Sequence, residues 1–284
     1  MARAWMAAGA LAAMTAGCAT LAPLTLPGGP WAPDPGGAAA LESATAACGS
    51  VRTLTAEIAV RGQVGGVRLR GRVLAGFARG GALRLEAPAP FGAPIFILTA
   101  RADRGTLWLP RDRRVLRDAP VADILDAIVG LRRSSDDLLG LLSGCLLADR
   151  PVASGGGVQR NGAGWLMAML ADETVAYLRR DGATWRLLAG HREAAPGGSA
   201  WSVSYERFVP TFPDLVRVST TPPGGSAGGG GVLSLEVSQR ETNTPIDAHA
   251  FEAIAAPDGR PMTLDELRRT GPLADRAGAP GSKS

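Results

Sequence analysis

The sequence predicts a mainly β protein: one strongly curved antiparallel sheet, an incomplete β-barrel of about ten or eleven strands, with a helical lid. Three observations carry this. Most of the chain after residue 50 alternates apolar and polar residues with a period of two, as half-buried strands do. Two stretches between residues 121 and 145 switch to helical spacing. Glycine and proline are abundant, at 38 and 21 residues, and punctuate the alternating runs as turns. A sheet of that many strands tends to curl rather than lie flat.

The first residues stand apart from this pattern. Arg3 is the one cation before an apolar run of small residues from Ala4 to Met14. The run has the length of a signal-peptide core and is too short to span a bilayer as a helix. Thr15-Ala16-Gly17-Cys18 follows. This resembles the bacterial lipoprotein box, with small residues before the cysteine and Thr15 where the box usually has leucine. The resemblance implies cleavage after residue 17 and lipidation of Cys18. Ala19, which is not an aspartate, resembles an outer-membrane address. Residues 18–37 are rich in Pro, Gly and Ala and read as a tether. The organisation expected is therefore a signal peptide over 1–17, a lipidated tether over 18–37, one domain over 38–270 and a flexible tail over 271–284.

Within the domain, "AAALESATAAC" (38–48) has helix-forming composition. In "LTAEIAVR" Leu54, Ala56, Ile58 and Val60 share one face. In "VRLRGRVLAGF" Val67, Leu69, Val73, Ala75 and Phe77 oppose Arg68, Arg70 and Arg72. "ALRLEAP", "PIFILTA" and "TLWLP" continue the sheet. Val121, Ile124, Leu125 and Ile128 then fall at helical spacing. A second helix follows, with Ser134 or Ser135 as its cap, Asp136 and Asp137 in its first turn, and Leu138, Leu139, Leu141 and Leu142 as its apolar residues. Six alternating segments run from about Val158 to Glu241, and "PPGGSAGGGG" is a low-complexity hairpin loop. The chain closes with "TPIDAHAFEAIAAPDGRPMTLDELRRTGPL", in which a last strand is expected, then a helix capped by Thr263 with Glu266 three residues on. The helices would cover the concave apolar face.

Composition narrows the function. The formal charge is +4, from 30 basic and 26 acidic residues, with no block of like charge long enough for a nucleic-acid tail. His191 and His249 lie far apart and there is no CxxC, so neither a metal site nor a cofactor is expected. Gly224-Gly225-Ser226-Ala227-Gly228 fits GxSxG, but a glycine run between two strands is not the strand-to-helix turn that motif requires. Paired carboxylates in helix first turns suit the helix dipole, not acid–base work. No catalytic residue is therefore expected. With Cys18 lipidated, Cys48 and Cys145 remain: in an oxidising periplasm they are either one disulfide or two buried thiols that never meet.

"LRLEAPAPFGAPIFILTA", "ILDAIVG…DDLLGLL" and "NTPIDAHAF…MTLDELRRTGPL" together resemble the outer-membrane lipoprotein receptor LolB and its carrier relative LolA. The resemblance covers residues 40 to 270, mostly as pattern. It implies a half-barrel closed by a helical lid around an apolar cavity, with Pro90, Phe91 and Gly92 on a protruding, membrane-touching loop. Pro88, Pro90 and Pro94 would stiffen that loop. It further implies that Ile124, Leu125, Ile128, Leu138, Leu139, Leu141 and Leu142 are lid and cavity residues. The expected partners are membrane lipid or a lipidated client protein, together with a periplasmic carrier or an envelope-assembly partner. The location expected is the outer membrane, facing the periplasm. The alternative is an envelope-assembly scaffold using the same fold as a protein-binding surface.

Overall fold

A computed structural model describes residues 24–145, 152–153, 157–194, 199–221 and 230–274. The chain runs β1 (Trp31–Pro33), α1 (Gly37–Gly49), β2 (Thr53–Val64), β3 (Val67–Ala78), β4 (Ala82–Ala87), β5 (Phe96–Arg101), β6 (Arg104–Leu109) and β7 (Arg114–Pro120). The helices α2 (Val121–Val129) and α3 (Ser135–Ser143) follow. The sheet resumes with β8 (Val158–Asn161), β9 (Trp165–Met169), β10 (Val175–Asp181), β11 (Thr184–Arg192), β12 (Ala200–Val209), β13 (Phe212–Thr221) and β14 (Gly231–Thr242). A 3₁₀ turn (Ala248–Phe251), β15 (Arg260–Pro261) and α4 (Leu264–Thr270) complete it.

All fifteen strands among the described residues form one curved, unclosed sheet, in the order β1-β8-β9-β10-β11-β12-β13-β14-β2-β3-β4-β5-β6-β7-β15. Neighbours are antiparallel except β7 and β15. The strand count exceeds the expected ten or eleven because short strands such as β1 and β8 carry no readable alternation. The ladder of β14 on β2 joins the two halves of the sheet across the interruption made by α2 and α3.

The concave face is one continuous core. Leu54, Ala56, Ile58 and Val60 of β2 meet Val73, Ala75 and Phe77 of β3, Leu83 and Leu85 of β4, and Leu233, Leu235 and Val237 of β14. Side chains of α1, α2 and α3 belong to the same core. At roughly 25 cal/mol per Å² of apolar surface removed from water, this shared burial is what holds short helices on a sheet. Val67, expected on the apolar face, is 49% exposed, because it follows the Gly65-Gly66 turn at the sheet's end.

Two expectations need correction. The tether was drawn too long: Trp31–Pro33 pairs with β8, Asp34 forms an ion pair with Arg160, and Trp31 packs against Tyr177 with ring centroids 6.2 Å apart. Proline and glycine hid an edge strand whose one large apolar residue anchors it. The tail was also drawn too early, since Leu273 is 2% exposed and belongs to the core. The last strand before α4 is only Arg260–Pro261; upstream of it the Asp247 carboxylate accepts the His249 N–H at 2.9 Å and starts a 3₁₀ turn. Arg84 and Arg101 donate to the turn's carbonyls and hold it over β4 and β5.

Candidate functional site

Under α2 and α3 lies a cavity of about 60 Å³. Fourteen residues line it and all are apolar. Leu125, Ile128 and Val129 come from α2, Leu131 from the linker, and Leu138 and Leu142 from α3. The sheet contributes from β2, β3, β4, β5 and β14, and Leu273 contributes from beyond α4. Ile124, Leu139 and Leu141 are equally buried but do not line the cavity. Val129, Leu131 and Leu273 escaped the sequence reading. The signal for Leu273 was the apolar residue just past Gly271, a left-handed C-terminal glycine of α4 (φ 51°), where a hydrophobic contact commonly follows.

Local chemistry sets both helices on the sheet. α2 ends at Gly130, left-handed at φ 66°, whose N–H reaches Asp126 O at 2.9 Å. A Cβ there would stand 2.3 Å from a Val64 methyl, so only glycine fits. α3 is capped by Ser134, whose hydroxyl accepts the Asp137 N–H at 3.0 Å. Asp103, in the turn between β5 and β6, holds both helix starts. Its carbonyl accepts Val121 N–H at 2.9 Å and its carboxylate accepts Ser135 N–H at 2.7 Å. α2 and α3 are therefore pinned at the same corner of the sheet.

The C-terminal segment seals the cavity from the other side. β3 pairs with β4 only from Leu74 to Ala78, leaving its first half unpaired on that side. Leu273 O accepts the Arg70 N–H at 3.1 Å and Ala274 bridges Leu69. Gly71 leaves room for the Leu273 side chain, since a Cβ would lie 2.7 Å from its Cδ2. Arg268 of α4 also reaches Asp126 of α2 at 3.4 Å.

Cys48 and Cys145 are joined as a disulfide, with Cα atoms 5.3 Å apart and a sequence separation of 97. It ties the end of α1 to the residue after α3's C-cap.

The loop between β4 and β5 carries Pro90, Phe91 and Gly92 at its tip. Ile95 N–H donates to Ala87 O at 2.8 Å and closes its neck. Phe91 is 88% exposed. Arg111 holds the tip, donating to Phe91 O at 2.8 Å and Ala93 O at 3.1 Å. The histidines serve locally: His191 stacks on Tyr177 with centroids 5.7 Å apart, and His249 Nδ1 lies 3.0 Å from Glu252. Cys18 and the GxSxG segment lie outside the described residues, as does most of the glycine-rich loop after β13. No helix among the described residues is long and apolar enough to cross a membrane.

No protein-family model matches the sequence, and no curated protein matches it. Solved structures do overlap it. A LolA superfamily protein from Nitrosomonas europaea is 12% identical, with a TM-score of 0.48 over 76% of this chain and 97% of that one. A DUF1329 family protein from Desulfovibrio piger is 12% identical, with a TM-score of 0.43 over 76% of this chain and 97% of its own. Lipoprotein LppX from Mycobacterium tuberculosis is 13% identical, with a TM-score of 0.32 over 75% of this chain and 98% of its own. These are partial overlaps of shape.

Proposed function

We propose that this chain is a lipid-anchored envelope protein that takes acyl chains into the apolar concavity beneath α2 and α3. In this reading it assists delivery of lipoprotein or lipid to the outer membrane. Cys18 is the anchor, and Phe91 is the residue that touches the bilayer. The observation that carries the reading is a cavity with only apolar lining, bounded by two short helices and a C-terminal strap. An acyl chain left in water costs about 0.8 kcal/mol per CH₂, so a carrier needs a dry apolar surface and no catalytic group. The cavity as described is smaller than the roughly 150 Å³ that holds one benzene ring. Loading therefore requires α2, α3 or the strap to move outward. The starts of α2 and α3 are pinned at Asp103, which leaves the far end of α2, at Gly130 and Leu131, as the place where the gap widens.

The same small volume favours a second reading: a scaffold whose concavity is permanently filled and whose surface binds a protein partner. The test is to purify the full chain carrying Cys18→Ala and analyse co-purifying lipids by mass spectrometry. The carrier reading predicts bound lipid or uptake of a lipidated client. A well-folded sample with neither, combined with capture of an envelope protein, supports the scaffold instead.

A further inference from the structure

The Phe91 loop shares its end of the sheet with a basic depression. Arg111, Asp112 and Arg113 form the turn between β6 and β7, Arg114 begins β7, and Arg260 of β15 pairs with Arg114 in register. Together with Thr270 they line an open depression in which four guanidinium groups accompany one carboxylate. Arg114 is matched by Glu266 at 2.8 Å. Arg113 and Arg260 are both exposed and make no ion pair among the described residues. Their backbones are joined: Arg113, left-handed at φ 50°, accepts the Arg260 N–H on its carbonyl at 2.8 Å. Arg111 belongs to both features. It lines the depression while donating to the Phe91 and Ala93 carbonyls. Carbonyls are neutral, so that guanidinium keeps its full charge.

We infer that the Phe91 loop and this arginine depression form one docking surface for anionic membrane, with lipid phosphates in the depression and Phe91 at the acyl boundary. Guanidinium groups suit phosphate because their planar fork offers paired N–H donors. Aromatic side chains favour the level of the headgroups. The apolar half rests on Phe91 as the membrane-touching residue, whereas the basic half stands on charge and position alone.

The test is vesicle flotation of the full chain carrying Cys18→Ala, with phosphatidylcholine alone or mixed with phosphatidylglycerol. The N-terminal apolar segment is common to every variant, so differences report the docking surface. Arg113→Gln with Arg260→Gln should weaken binding to the mixed vesicles by roughly 25-fold, from about fivefold per cation, and leave binding to phosphatidylcholine unchanged. Arg113→Lys with Arg260→Lys should retain most of the anionic preference. Phe91→Ser should weaken binding to both vesicles, and salt should weaken only the mixed-vesicle component. If the glutamine pair binds mixed vesicles as the parent does, the arginine inference fails while the Phe91 reading stands. If Phe91→Ser changes nothing while the glutamine pair loses binding, the combined surface and the Phe91 reading both fail.

Discussion

Asp103 illustrates how much one residue carries. A left-handed turn position (φ 57°) lets its carbonyl and its carboxylate each receive the first amide of a different helix. Asp103→Ala should cost about 1–2 kcal/mol in urea unfolding, since it strands a helix-start donor and places alanine in a left-handed conformation. Asp103→Asn keeps both an acceptor and tolerance of that backbone, so it should stay within about 0.5 kcal/mol of the parent. A loss as large as alanine's would mean that charge, not the hydrogen bond, is what counts. Tyr205 points the other way. It is buried on β12, and its hydroxyl has no hydrogen-bond partner among the described residues. Desolvation pushes its ionisation far above the usual tyrosine range, so it stays neutral. Tyr205→Phe removes an unsatisfied polar atom while keeping the ring, and should raise stability by about 1 kcal/mol in the same assay. A clear destabilisation would show that the hydroxyl has a partner.

At the scale of elements, the stability of α4 should depend on acid. Its Thr263–Glu266 capping box is complete, and Arg114 beside Glu266, with help from the Thr263 N–H, pulls that carboxyl down to about 2. The folded value lies below the ordinary 4.5, so the contribution is present above about pH 4.5 and is lost as pH falls toward 2. Amide exchange at Leu267 should accelerate over that window while the amides of β2 stay protected. Equal acceleration throughout would assign the acid response to global unfolding. The disulfide is the other element-scale tie. Replacing Cys48 and Cys145 together by alanine should cost about 2–5 kcal/mol by freeing a loop of nearly a hundred residues in the unfolded chain. α2 and its bounds were legible because Val121, Ile124, Leu125 and Ile128 repeat cleanly at helical spacing and Gly130 stops them. β1 was not, because three residues hold no period and its proline argues against a strand. The disulfide was open for a different reason: spacing along the chain does not fix the distance between two Cα atoms.

For the molecule as a whole, the concavity is the feature on which function turns. Leu125, Ile128, Leu138 and Leu142, read from the sequence as lid and cavity residues, are four of the fourteen residues that line it. Leu273 was missed because a plug held by a single β-bridge leaves no pattern, only one apolar residue after a helix stop. Leu273→Ala should cost about 2–5 kcal/mol and leave a larger cavity. It should also raise uptake of a small apolar fluorescent probe; unchanged uptake would mean that the strap does not guard the cavity. The central claim is that helices and strap close over a surface made for acyl chains. The most direct measurement is titration of a fluorescent long-chain fatty acid into the delipidated full chain carrying Cys18→Ala. Saturable uptake with a blue-shifted, water-shielded signal is the predicted result. A folded, disulfide-intact protein that shows no saturable uptake at any accessible concentration would contradict it.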